Sequence, residues 1–130
     1  MKYPILFAAV LGFSLTTHAA STVSPVQVEG SFKSAPISLE LIVLDSDSGT
    51  LAASTTVAQE GCSGSVAGIG KLKGNVLQFK PYKKEEGGEQ CVIQVNFSPN
   101  GKSASVTETD CSYYHGASCG WEGQKVRKLR

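Results

Sequence analysis

Residues Gln90–Ser98 read QCVIQVNFS. Cys91, Ile93, Val95 and Phe97 fall on one side of an extended chain, and Gln90, Gln94 and Asn96 on the other. A period of two in so short a run is the pattern of a half-buried antiparallel strand. The period recurs in Ile37–Asp45, ISLELIVLD, where Ile37, Leu39, Leu41 and Val43 share a face. Glu40 lies opposite, although Ile42 and Leu44 leave that second face only partly polar. Beyond the N-terminal segment, no stretch of about ten residues carries the apolar stripe of an amphipathic helix.

Turn chemistry separates these runs at short intervals. Asp45–Gly49 (DSDSG), Lys73–Asn75 (KGN), Glu86–Glu89 (EGGE) and Ser98–Gly101 (SPNG) read as hairpin connections. The Asn-Gly pair in the last suits positive φ. Strands are predicted over 26–33, 37–45, 50–58, 62–71, 75–82, 90–97, 102–109 and 120–128, with 20–25 as a lead-in. Such spacing predicts an all-β fold, a small antiparallel barrel or sandwich of about seven to eight strands. Closure would also protect the edge strands. Gly64, Gly68, Gly70 and Gly74 make one segment glycine-rich, but no helix follows as a dinucleotide-binding loop requires. Alternate glycines in a strand instead mark a sharp bend or a close backbone approach.

At the N-terminus, Lys2 precedes an apolar run, Ile5–Leu15, broken only by Gly12 and Ser14. Thr17, His18 and Ala19 then present the small residues read by a signal peptidase, which predicts a signal peptide over 1–19. The run is too short to span a bilayer, and no cysteine stands at the cleavage point to take a lipid. The expectation is a periplasmic or secreted protein without membrane insertion. Residues 20–130 are predicted to form one disulfide-stabilised β domain, which at about 110 residues buries roughly two-thirds of its unfolded surface.

Twelve Lys and Arg nearly balance eleven Asp and Glu, so no global field exists to attract a polyanion. Lys125, Arg127, Lys128 and Arg130 gather at the C-terminus, and Lys83, Lys84, Glu85, Glu86 and Glu89 in one loop. Both clusters read as solvated surface. No basic face is interleaved with aromatics, and a nucleic-acid partner is not expected.

Cys62, Cys91, Cys111 and Cys119 form an even set in an exported chain, which predicts two disulfides with three connectivities open. Cys62 shares a face with Val66, and Cys91 with Ile93 and Phe97, so both would point into the core. The favoured pairing is therefore Cys62–Cys91, leaving Cys111–Cys119 to staple the loop SYYHGAS. A metal held by Cys111, His115 and Cys119 would lack a fourth ligand and compete with thiol oxidation. A triad of His115 with Ser112 or Ser118 and Asp110 would crowd serine and carboxylate onto one small loop, where opposite imidazole nitrogens must be reached. No enzyme activity, cofactor or metal is expected.

A binding loop asks less of the same residues. Ser112, Tyr113, Tyr114 and His115 on a closed loop would present ordered aromatic area with little rotamer entropy to lose. Gly116 would supply the turn, and Trp121 is expected to plug the core. The stretches DCSYYHGASCGWEGQKVRK and GCSGSVAGIGKLKGNVLQF together resemble small exported bacterial proteins related to periplasmic lysozyme inhibitors. The resemblance covers about Cys62–Lys128 and implies a compact barrel or sandwich with a loop presented to a muramidase cleft. The Ser-Gly-x-x-Tyr motif of inhibitors of c-type lysozyme is not intact: Ser63-Gly64 is followed by Ala67, and Ser48-Gly49 by Ala52, at the tyrosine position. The contact residues are thus expected in the 112–118 loop. The function expected is a non-enzymatic inhibitor of a lysozyme or other peptidoglycan hydrolase, or an immunity protein against a delivered toxin. The alternatives are a small-ligand β-barrel carrier and a structural envelope protein.

Overall fold

A computed structural model describes residues 12–15 and 22–130. The expected signal peptide and its cleavage point lie, apart from residues 12–15, outside the described residues. Eight strands form a closed antiparallel barrel in sequence order. They are β1 (Gly30–Lys33), β2 (Ile37–Asp45), β3 (Thr50–Gln59), β4 (Cys62–Lys73), β5 (Val76–Phe79), β6 (Val92–Phe97), β7 (Ser103–Thr109) and β8 (Gln124–Lys128). The barrel closes where Phe32 and Lys33 of β1 pair with Lys128 and Arg127 of β8.

The alternation read from the sequence is the alternation of burial. Ile37, Leu39 and Leu41 are buried while Glu40, Ile42 and Leu44 face outward. Cys91, Ile93, Val95 and Phe97 are likewise buried. Phe32, Leu51, Leu77 and Phe79 join them from other strands, and the Phe32 and Phe97 rings meet at 5.8 Å. Among the described residues, Thr55 is the buried polar residue of this core, and its hydroxyl donates to the Ser38 carbonyl at 2.8 Å. A buried hydroxyl left unpaired would cost about 1–3 kcal/mol.

Gly68 and Gly70 are buried in the middle of β4. A Cβ on Gly68 would overlap the Lys80 carbonyl, and one on Gly70 the Gln78 carbonyl. These glycines therefore permit the close approach their spacing suggested, bringing the chain around β5 against β4.

Several pieces differ from expectation, among them the last strand, which begins at Gln124 and not at residue 120. Residues 26–33 are not one strand: Pro25–Val28 form a single-turn helix, α1, before β1. Ser24 and Gln27 make a capping box there, and Pro25 occupies the first turn, where its missing N–H costs nothing. Val28 and Val23 are buried, and the Val23 amide donates to Asn75 Oδ1 at 3.0 Å, so this segment closes one pole of the barrel. The Glu86–Glu89 stretch is not a tight hairpin, because β5 ends at Phe79 and β6 begins at Val92. The intervening connection lies at the opposite pole, with the turn between β7 and β8. Among the described residues, no helix is long and apolar enough to cross a membrane.

Candidate functional site

The site is built on the excursion from β7 to β8. Asp110, at φ 55°, turns the chain off the end of β7. A second single-turn helix, α2 (Ser112–His115), follows and ends at Gly116, φ 77°. The cysteine pairing differs from the expected one: the bridges are Cys62–Cys119 and Cys91–Cys111. Register explains the second. Val92 pairs with Thr109, so Cys91 and Cys111 flank the last β6–β7 pair at the same pole. The 111–119 segment is thus not a loop closed on itself. It is a strap, fastened to the edge of β6 at one end and to the start of β4 at the other.

The inner side of the strap is a hydrogen-bonded plug. His115 Nε2 and Glu108 Oε1 lie 2.7 Å apart, with side chains 7% and 13% exposed. Glu108 Oε2 accepts the Trp121 amide at 2.6 Å. The His115 and Trp121 rings meet edge to face at 5.3 Å, and Trp121 is fully buried, as its expected plugging role requires. Gly64 allows this docking, since a Cβ there would overlap the Tyr114 carbonyl. The imidazole partner is Glu108, and the thiols of Cys111 and Cys119 are engaged in disulfides. Glu108 was missed from sequence, although Ala104, Val106 and Glu108 share one face by alternation. A carboxylate ending an inward row calls for a buried partner. Glu108→Ala is expected to destabilise the fold by about 2–3 kcal/mol, because it strands His115 and the Trp121 amide together. Denaturant unfolding followed by tryptophan fluorescence checks this.

The outer side is different. Ser112 is exposed and Tyr113 is 53% exposed. Tyr114 and His115, expected among the contact residues, are instead turned toward the protein. The two tyrosine rings stand edge to face at 5.1 Å. Tyr113 packs beside Gly87 and Tyr114 beside Gly88, so α2 and the connection carrying Glu85, Glu86 and Glu89 make one surface. Burial pushes the Tyr114 phenol above its ordinary value, and the nearby Glu85 carboxylate adds to the shift. Glu85 also pairs with Lys83 at 3.3 Å. Beside this surface runs an open groove of about 650 Å³ lined by Thr56, Ser63, Ser65, Glu85, Tyr113 and Tyr114 among others. The Glu85–Glu89 cluster was visible in the sequence as charge, but nothing there placed it against Tyr113.

Comparison with protein families, with curated proteins and with solved structures returns no match.

Proposed function

We propose that the protein is an exported, non-enzymatic binding protein that inhibits a peptidoglycan-cleaving hydrolase, such as a lysozyme, by occupying its cleft. Tyr113 and Ser112 make the contacts, with the Glu85–Glu89 connection as an acidic flank. The supporting observation is the juxtaposition of an exposed tyrosine with that connection on a turn strapped by two disulfides. A strapped tyrosine loses little entropy on docking. Glu86 and Glu89, outside the Lys83–Glu85 ion pair, would face a basic enzyme on its approach. Protection from a delivered envelope-degrading toxin would use the same surface. A carrier role has less support, because the inward positions of the barrel are filled by packed side chains.

The test is clearance of suspended cell-wall material by c-type, g-type and i-type lysozymes with and without the oxidised protein. Stoichiometric inhibition of at least one is expected, and no effect on any removes lysozyme as the target. Tyr113→Ala should weaken inhibition by about 30-fold, the size of an interface hot spot. Its melting temperature should stay within about 2 °C of the parent, since half the side chain is already in water. Unchanged inhibition by this variant would remove Tyr113 from the contact surface.

A further inference from the structure

β4 is twelve residues long and β5 only four, so β5 pairs with β4 only at Gly70–Lys73. One further backbone bond reaches that side of β4, from the Tyr82 amide to the Ala67 carbonyl at 2.8 Å. In an antiparallel strand the amide and carbonyl of one residue point to the same side, and successive residues alternate. Gly64 and Val66 therefore turn theirs toward Val57 and Thr55 of β3, their register partners. Ser63 and Ser65 turn theirs the other way, as does the Ala67 amide. Among the described residues, none of these five groups has a backbone hydrogen-bond partner.

Although α2 docks against Gly64 and the β5–β6 connection reaches Ala67, this edge carries no guard in its own sequence. Ser63, Gly64, Ser65 and Val66 include no charge, no proline and no bulge, and both serine side chains are short and exposed. Free edges of that kind template the addition of another strand. The edge is held in place at its start by the Cys62–Cys119 bridge. An open groove lined by Ser63, Gly64 and Ser65 runs beside it. Glu85 lines that groove, Glu86 and Glu89 follow in the same connection, and Glu60 sits exposed in the β3–β4 turn. Lys80, Lys83 and Lys84 of the same connection offset all but one of these four carboxylates.

We propose that the Ser63–Ala67 edge of β4 is a strand-addition site that takes an extended, lysine- or arginine-bearing segment of a partner protein. The segment pairs its backbone with Ser63, Ser65 and the Ala67 amide and sets its basic side chains beside Glu85. The proposal does not depend on the partner being a hydrolase, and its readout contains none.

Amide exchange of the oxidised protein, read residue by residue by NMR, tests it. In the free protein the Ser63, Ser65 and Ala67 amides should exchange about ten-fold or more faster than those of Gly64 and Val66. The probe is an acetylated, amidated pentapeptide, Lys-Val-Thr-Val-Lys. At saturation it should slow the three edge amides about ten-fold. The same peptide with its alternate amides N-methylated should not. Ser65→Pro, which removes one edge donor where proline is tolerated, should weaken binding about ten-fold. Ser65→Ala should leave it unchanged, because the recognition is by backbone. Edge amides already protected in the free protein would overturn the proposal. So would a peptide that shifts only the Glu85–Glu89 signals without protecting the edge.

Discussion

Reduction of both disulfides is expected to lower the thermal midpoint by roughly 20–30 °C. The bridges close separations of 57 and 20 residues. On chain entropy alone these are worth about 4 and about 3 kcal/mol, against a total of about 5–15 kcal/mol for an ordinary domain. The loss should be concentrated where both bridges lie, at the pole carrying the strap. A circular-dichroism melt with and without a phosphine reductant at neutral pH checks this. A fall of less than about 5 °C would mean that packing alone holds the strap. The proposed inhibition should fail before the barrel does, because Tyr113 is positioned by the strap and not by a strand.

Trp121→Ala is expected to cost about 3–5 kcal/mol, the range for removing a large buried aromatic side chain. Trp121 is fully buried and is the largest such side chain in the core. It also supports the His115 ring at 5.3 Å, so the cavity would open beneath α2. Trp121→Phe should cost less than about 2 kcal/mol, since most of the volume is retained. The indole Nε1 has no hydrogen-bond partner among the described residues, so the phenylalanine gives up no polar contact. Equilibrium unfolding in urea of the two variants separates these cases. Equal losses would show that cavity volume is not what the residue contributes.

Much of the barrel was legible because β structure is written locally. In Gln90–Ser98 and Ile37–Asp45 each residue's side of the sheet follows from its parity, and the burial of Ile93, Val95, Leu39 and Leu41 follows that parity. The glycines of β4 were legible for the same reason. Less legible were features set by register between strands. Shared inward faces made Cys62 and Cys91 look like partners, but facing inward does not make two residues neighbours. The β6–β7 register already places Cys91 beside Cys111, and pairing those strands across the Ser98–Gly101 turn would have given it. His115 lay beyond sequence reasoning for a further reason. A four-residue helix is too short to show periodicity, so its direction is set by Glu108 and Trp121 across space. The helix α1 was the opposite case. Ser24, Pro25 and Gln27 spell a capping box, and the apolar Val26 and Val28 obscured it.

The two bridges are nested, with Cys91 and Cys111 both lying between Cys62 and Cys119. Any single break in the backbone from 63 to 118 therefore leaves the two fragments covalently joined. That span contains the long exposed connection between β5 and β6 and the exposed turn between β6 and β7, both natural targets for a protease. With the bridges arranged as Cys62–Cys91 and Cys111–Cys119, one cut in the β6–β7 turn would have released about the C-terminal quarter of the chain. As they stand, the same cut yields a nicked protein whose halves are still one molecule, with the strap tied at both ends.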